Sequence, residues 1–334
     1  MVLKKNNWRT FFGFIISAIL LWLTFHNSGL ELQNITLNRE QLSCFIAAIS
    51  IFIFSVWFNS IRAKLFWLNK KRSYREVDSY NSLMVGNFYN CLLPGNLGEG
   101  VRSWHFSRKN NVSFLPSLTA IISEKWIDAH FFLPFSLLIF IIKPFKNHYI
   151  SYAIAFTDFV LFIIIFIYIL MINSRGFERF ILQIVLTLRK TGRLFFRLYW
   201  HTKNHISNLK NNGTMIYYLF LCVFILLLNI SQFLFLLKAA GVPEPIAGCY
   251  AAYLVAITMM IIAFIPSAPG NIGTIHYGVY SVLIFASMQY GIEPNEADLQ
   301  SFARFGLFVH LSYFIPEVIM GAVFVVKERS LIFH

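Results

Sequence analysis

The sequence predicts an all-α protein: a polytopic membrane bundle of about eight transmembrane helices that contains two broken hairpins. Of its 334 residues, 57% are hydrophobic and only 13% are charged, whereas a soluble domain carries about 25% charged residues. A second observation is a turn sequence, Pro-Gly-Asn-Leu/Ile-Gly, which interrupts apolar sequence at Pro94 and again at Pro269. Paired interruptions of this kind are typical of transporter folds built from inverted repeats.

The predicted spans are apolar stretches of about 20 residues, the length that a helix needs to cross a bilayer. The segment 79–93, before the first turn, is too short and too polar for an ordinary span, so we expect a half-helix there. The stretch 247–265 is long enough to cross completely, which would place the second turn at the inner face. The predicted spans are 8–25, 41–61, 111–142, 149–172, 214–237, 247–265, 274–289 and 302–326.

We expect one integral membrane domain over residues 1–334, with two related halves. The first half, about 1–172, would contain the turn 94–98, and the second, about 214–326, the turn 269–273. The turns follow spans of opposite direction, which is the arrangement of an inverted repeat. The connector 174–210 has apolar residues at helical spacing among Arg and Lys. It is predicted to be an amphipathic helix on the inner leaflet or a cytoplasmic connector packed under the bundle.

Lys and Arg are concentrated in segments that would share one side of the membrane. The proposed outer loops carry acidic residues instead. The positive-inside rule therefore predicts that both termini lie in the cytoplasm, and we expect a multi-pass protein of the bacterial cytoplasmic (inner) membrane. This asymmetry accounts for the net charge of +13 without a nucleic-acid partner. The segments 1–9, 62–75, 102–109, 175–210 and 327–329 hold 22 of the 28 Lys and Arg residues.

Charged residues inside apolar spans are costly, which makes them candidates for function. Glu124 and Asp128 are four residues apart and share one helix face, while Lys125 points about 100° away. Arg102 follows the first turn and offers a planar fork that suits a phosphate. We expect Glu124 and Asp128 to be its partners when no ligand is bound. The alternative is that these charges pair only with one another and fix helix packing.

The two turns add a second kind of ligand chemistry and are expected to approach each other in space. Gly-rich turns and helix N-termini offer N–H groups and partial positive charge to an anion, so the pattern favours a phosphorylated lipid head group. We expect structural roles for Asp158, His310 and Glu317. The predicted substrate-binding residues are Asn96, Glu99, Arg102, Glu124, Lys125, Asp128, Asn271 and His276, and the predicted turn residues are Pro94, Gly95, Gly98, Pro269, Gly270 and Gly273.

Enzyme signatures are missing from the sequence. It has no H-E-x-x-H, G-x-S-x-G or Walker A motif, and its four cysteines form no C-x-x-C pair, so we expect no metal site and no cofactor. The first outer loop lacks the paired acidic residues of a metal-dependent, lipid-linked sugar transferase. We therefore do not expect an enzyme. The alternatives are a polyprenyl-phosphate-dependent membrane transferase and a non-transporting partner of an envelope polysaccharide machine.

The run PGNLGEGVR, followed about twenty residues later by SEKWID, resembles the central signature of the flippase-like integral membrane family. This family includes the transmembrane half of lysylphosphatidylglycerol synthase. The resemblance extends from the first span to about residue 326. It implies movement of a membrane phospholipid or a lipid-linked saccharide between leaflets, with envelope-biosynthesis proteins as further partners. The matching residues are Pro94, Gly95, Gly98, Glu99, Arg102, Glu124, Asp128, Pro269, Gly270 and Gly273.

The sequence departs from the family pattern at four positions. Lys125 stands where Arg is usual, Asn96 and Asn271 stand where Gly is common, and His276 stands where many relatives have Glu. If that Glu matters for coupling or for the choice of head group, the change at His276 implies a different substrate. We expect no soluble acyl-transferase domain after the last span, so the resemblance does not imply synthase activity.

Overall fold

A computed structural model describes residues 7–30, 36–67, 74–125, 128, 174–211, 213–263, 265 and 267–328. Within these residues the regular structure is entirely helical, which confirms the predicted helical bundle. Most of the predicted spans 111–142 and 149–172, including Asp158, lie outside the described residues. The α-helices are α1 Asn7–Ser28, α2 Arg39–Trp67, α3 Glu76–Leu92, α4 Gly98–Lys109, α5 114–125, α6 Arg175–Asn211, α7 Met215–Ala240, α8 Cys249–Ile262, α9 Thr274–Tyr290 and α10 Glu296–Lys327.

Three of the described helices are long and apolar enough to cross a membrane, namely α2, α7 and α10. Two shorter apolar helical stretches, Phe14–Ser28 and Cys249–Ile262, accompany them. The apolar side chains on their surfaces, such as Trp22 and Ile216, suit contact with lipid. The chain is therefore an integral membrane protein.

Two hairpins of short helices interrupt the long spans. The turn Pro94–Asn96 joins α3 to α4, and the turn Pro269–Asn271 joins α8 to α9. Helix α8 has 14 residues and is therefore about 21 Å long, which is less than the ~30 Å of a hydrocarbon core. The sequence left open whether the segment 247–265 crosses completely, and the helix within it begins at Cys249 and ends at Ile262.

Glycines allow the helices of the first hairpin to touch. A Cβ atom on Gly98 would lie 2.1 Å from the carbonyl oxygen of Gly86, and one on Gly86 would lie 2.7 Å from Cβ of Arg102. Because both distances are far below van der Waals contact, any side chain at either position would push α3 and α4 apart. The two glycines thereby fix the position of Arg102 against α3.

The chain divides into two compact units. The first unit comprises residues 1–60, 80–105 and 223–334 and contains both turns. The second comprises residues 61–79 and 106–222 and contains α5 and α6. The first unit thus draws on both of the predicted sequence halves. The inverted repeat stays a prediction.

Within the second unit, the C-terminal part of α6 packs on neighbouring helices. His205 lies on α6, with its Nδ1 2.9 Å from the carbonyl oxygen of Phe66 and its Nε2 3.1 Å from that of Pro116. Tyr199 and Leu209 are buried, while Trp200 is exposed. This part of α6 therefore packs on α2 and α5, and its place at the inner leaflet or under the bundle stays a prediction.

Candidate functional site

The two Pro-Gly-Asn turns have the same backbone conformation. Gly95 has φ 67° and ψ 33°, and Gly270 has φ 65° and ψ 13°. The asparagine that follows each glycine is also left-handed, with φ 55° at Asn96 and 54° at Asn271. Glycine adopts this conformation without strain, and asparagine adopts it more readily than most residues. The repeated Gly-Asn pair is therefore a requirement of the backbone.

The turns touch each other, as predicted from the sequence. The backbone N–H of Gly95 donates to the carbonyl oxygen of Ser267 at 3.2 Å, and Nδ2 of Asn96 donates to the carbonyl oxygen of Ala263. The hydroxyl of Ser267 in turn donates to Oδ1 of Asn271. The donors of the first turn that were expected to face a ligand therefore bond carbonyl oxygens just before the second turn in this conformation.

Helix α1 supports the second turn from the side. The Ser17 hydroxyl accepts the backbone N–H of Ala268 at 3.0 Å. A Cβ atom on Gly273, whose φ is +82°, would lie 2.1 Å from the carbonyl oxygen of Ser17. The glycine that closes the second turn is thus required both by its backbone conformation and by the close approach of α1.

A cavity of about 110 Å³ lies beside the second turn. This volume has room for several water molecules. Its lining contains one carboxylate, Glu317, and one imidazole, His310, but neither lysine nor arginine from the described part of the chain. The lining residues are Asn90, Cys91, Met259, Gly270, Asn271, Ile275, His310, Tyr313, Phe314 and Glu317.

The cavity gives Glu317 and His310 a place in the candidate site, although the sequence favoured structural roles for both. They are seven residues apart on α10, a spacing that places them on one face of the helix about 10 Å apart. The Cys91 thiol donates to Oε2 of Glu317 at 3.4 Å. This shared face is the sequence signal that could have identified the pair.

Two histidines hold the second turn from opposite ends. The backbone N–H of Gly273 donates to Nδ1 of His276 at 3.3 Å, and His310 hydrogen-bonds to the carbonyl group of Gly270. The two imidazole rings meet edge to face, with their centroids 4.9 Å apart. His276, a predicted binding residue, is buried behind the turn and is not among the residues that line the cavity.

Arg102 and Glu99, both predicted binding residues, lie together on α4. Nη1 of Arg102 is 3.4 Å from Oε2 of Glu99, and the Arg102 side chain is only 2% exposed. A planar guanidinium suits a phosphate, so Arg102 is a candidate for holding an anion on α4, just after the first turn.

The arginine found against Glu124 and Asp128 is Arg62, not the predicted Arg102. Arg62 forms two hydrogen bonds with Asp128, of 2.6 and 2.8 Å, and one of 3.3 Å with Glu124. The Tyr218 ring lies 5.8 Å from its guanidinium carbon. Lys125, also a predicted binding residue, is exposed. The cluster belongs to the second unit, and its arginine was counted only as part of a basic segment in the sequence.

A further buried network was missed by sequence reasoning. Ser82 lies 2.9 Å from Nδ1 of His105, and Nε2 of the same ring bonds Glu328. Nδ2 of Asn81 donates to Glu328 at 2.7 Å. The network ties the end of α10 to α3 and α4, and its members are too far apart in sequence for any local pattern to link them.

The sequence model of the family described as "Lysylphosphatidylglycerol synthase TM region" matches residues 10–302. The match includes both turns and ends early in α10, before the limit near residue 326 that the resemblance suggested. No curated protein and no solved structure matches the chain.

Proposed function

The chain belongs to the lysylphosphatidylglycerol synthase transmembrane family, and we propose that it binds a phosphorylated lipid or lipid-linked envelope precursor and moves it between leaflets. The family supports a lipid-related role in the membrane. The observation that carries the proposal is the contact between Gly95 and Ser267, because it joins two broken hairpins beside a polar cavity. Backbone broken at membrane depth is tolerated where it lines such a cavity.

In the proposed mechanism, the phosphate replaces the bonds between the turns. The N–H of Gly95 and the amide of Asn96 bond carbonyl oxygens of the opposite hairpin in this conformation. When the turns separate, these donors become available to an anionic head group, next to the N-terminus of α4. The same groups therefore close the empty protein and bind the loaded one.

Arg102 supplies the charge for the same exchange. Its contact with Glu99 is 3.4 Å, which is longer than the 2.7–2.9 Å of a strong charge-assisted hydrogen bond. A phosphate accepts the planar guanidinium fork with two parallel bonds. A phosphate in the place of Glu99 would bind the same guanidinium with two parallel bonds.

Proteoliposomes test this proposal. The purified protein would be reconstituted with fluorescent phosphatidylglycerol or with a neutral glycosyl lipid of the same chains, and movement followed by quenching of the outer leaflet. The proposal predicts rapid movement of the phosphate-bearing lipid only. Equal rates for the two lipids, or rates equal to those of protein-free vesicles, would contradict it.

A further inference from the structure

The histidine at the start of α9 holds the second turn only when its Nδ1 is unprotonated. Nδ1 of His276 accepts the backbone N–H of Gly273, and a ring nitrogen accepts a hydrogen bond only through its lone pair. Protonation converts this nitrogen into a donor, so Gly273 loses its acceptor. The end of the second turn is therefore sensitive to the protonation state of one side chain.

His310 presents an unused proton acceptor beside the cavity. Its side chain is 8% exposed, lines the cavity and bonds the Gly270 carbonyl group. Its other nitrogen, Nε2, has no hydrogen-bond partner among the described residues. A neutral imidazole donates from one nitrogen and accepts at the other. Nε2 of His310 therefore carries a lone pair that can accept a proton, in a residue that lines the polar cavity.

Glu317 gives the same cavity a negative charge or a second proton. A carboxylate within a membrane span is costly when ionised and is commonly part of an ion or proton path. The other titratable groups beside it are Cys91 from α3 and Tyr313 from α10. Helix α8 contributes Met259 to the cavity lining, and the second turn contributes Asn271. Neither side chain titrates.

The surroundings of the histidines add few other charges. Helix α1 faces His276 through the ring of Phe25. On α10, the ring of Phe314 lies against His310. Arg304, the remaining charged residue on this part of α10, is not among the residues that line the cavity.

We propose that His276, His310 and Glu317 form a proton-binding site, and that proton uptake opens the second turn and so couples lipid movement to proton movement. Only the coupling to lipid rests on the proposed function. A proton from water adds to Nε2 of His310 without loss of a hydrogen bond. A proton on His276 removes the acceptor of Gly273, and two imidazolium rings 4.9 Å apart repel each other. Glu317 is the counter-charge of the protonated state, and release of the protons to water restores the hydrogen bond from Gly273 to His276.

Spin labels on the two turns measure the opening directly. The labels would be placed by Leu97→Cys and Ile272→Cys, because both side chains are exposed, in a protein whose four native cysteines are replaced by serine. We expect the labels to separate as the pH falls. In the variant His276→Asn with His310→Asn, the spacing should stay constant, because asparagine keeps a hydrogen-bonding group near Nδ1 but does not titrate. The matched control is His26→Asn, at an exposed histidine, which should respond like the parent.

The same proteins, reconstituted in liposomes, allow the proton site and lipid transport to be tested independently, by measuring the rate of lipid movement at a series of pH values. Where the site is mostly unprotonated, the movement rate of the parent should rise tenfold or more per pH unit of acidification, about tenfold for each proton that opening requires, and the double variant should lose this dependence. If the turns open with acid but no lipid moves, the proton site stands and the proposed function is wrong. If lipid moves while label spacing and rate ignore pH, the proton site is wrong. Where the double variant does not fold, His276→Asn alone provides the same comparison, because it removes the group whose protonation releases Gly273, and a full parental response in it overturns the proposal.

Discussion

Gly95 donates its backbone N–H to the carbonyl oxygen of Ser267 at 3.2 Å, and this bond joins the first turn to the second. The bond depends on the left-handed conformation of Gly95, because a turn of another shape would aim the N–H elsewhere. The same conformation recurs at Gly270. Two short sequence motifs therefore produce one contact between hairpins.

Replacement of Gly95 by alanine should destabilise the protein through its backbone alone. A left-handed residue other than glycine costs about 1–2 kcal/mol, and no atom lies within 4 Å of the position that a Cβ would take. Gly100→Ala is the matched control, since it also meets open space but lies in α4. Alanine there should be neutral or stabilise by up to about 1 kcal/mol. In detergent, the thermal unfolding midpoint should fall for Gly95→Ala and should stay unchanged or rise for Gly100→Ala. A fall of similar size in both variants would count against the account.

Removal of Arg62 should be among the most damaging substitutions in the second unit. Arg62→Ala leaves Glu124 and Asp128 without their shared cation, and breaking a buried pair in this way costs about 3–5 kcal/mol. Lys64→Ala is the control on the same helix, because its partner Glu76 is half exposed and such pairs contribute about 0–1 kcal/mol. The measurement is the unfolding midpoint of the purified variants. Equal effects of the two substitutions would show that the Arg62 cluster is not a buried ion pair.

The sequence was sufficient for features that a local pattern encodes. The turns could be predicted because Pro-Gly-Asn has a specific backbone requirement, and their meeting followed from its repetition. The partner of Glu124 and Asp128 could not be predicted, because Arg62 is more than 60 residues away in the sequence. Its local sequence resembles that of any basic residue at the end of a span. His105 and Glu328 present the same difficulty, since only tertiary structure joins them.

His205 should make stability depend on pH in a defined direction. Burial lowers the pKa of His205 from its ordinary value of 6.5, and the hydrogen bonds to Phe66 and Pro116 only partly oppose this. A histidine whose pKa is lower in the folded state binds protons preferentially when unfolded. The contribution of neutral His205 to the free energy of unfolding is therefore complete above pH 6.5. It is lost as the pH falls towards the pKa of His205 in the folded state.

The variant His205→Gln should show a flatter loss of stability on the acidic side than the parent protein. Chemical unfolding at a series of pH values measures this slope. His26→Gln, at an exposed position, serves as the control and should keep the parental slope. An unchanged slope in His205→Gln would contradict the assignment.

The predicted topology places α6 in the cytoplasm and the loop before α10 outside. A cysteine at Asn204, which is exposed on α6, should react with a membrane-impermeant maleimide only after the cells are permeabilised. A cysteine at Glu293, which is also exposed, should react in intact cells. Labelling of position 204 in intact cells would reverse the orientation.

Arg102 provides the most direct test of the claim that a phosphate is recognised beside the turns. Arg102→Lys keeps the charge but loses the two-pronged fork, and Arg108→Lys makes the same change at an exposed position on the same helix. The measurement is the rate of phosphatidylglycerol movement in proteoliposomes that contain equal amounts of folded protein. The account predicts a rate about tenfold or more lower for Arg102→Lys, since loss of one good bidentate contact costs more than about 1.4 kcal/mol, and a parental rate for Arg108→Lys. A parental rate for Arg102→Lys would contradict it.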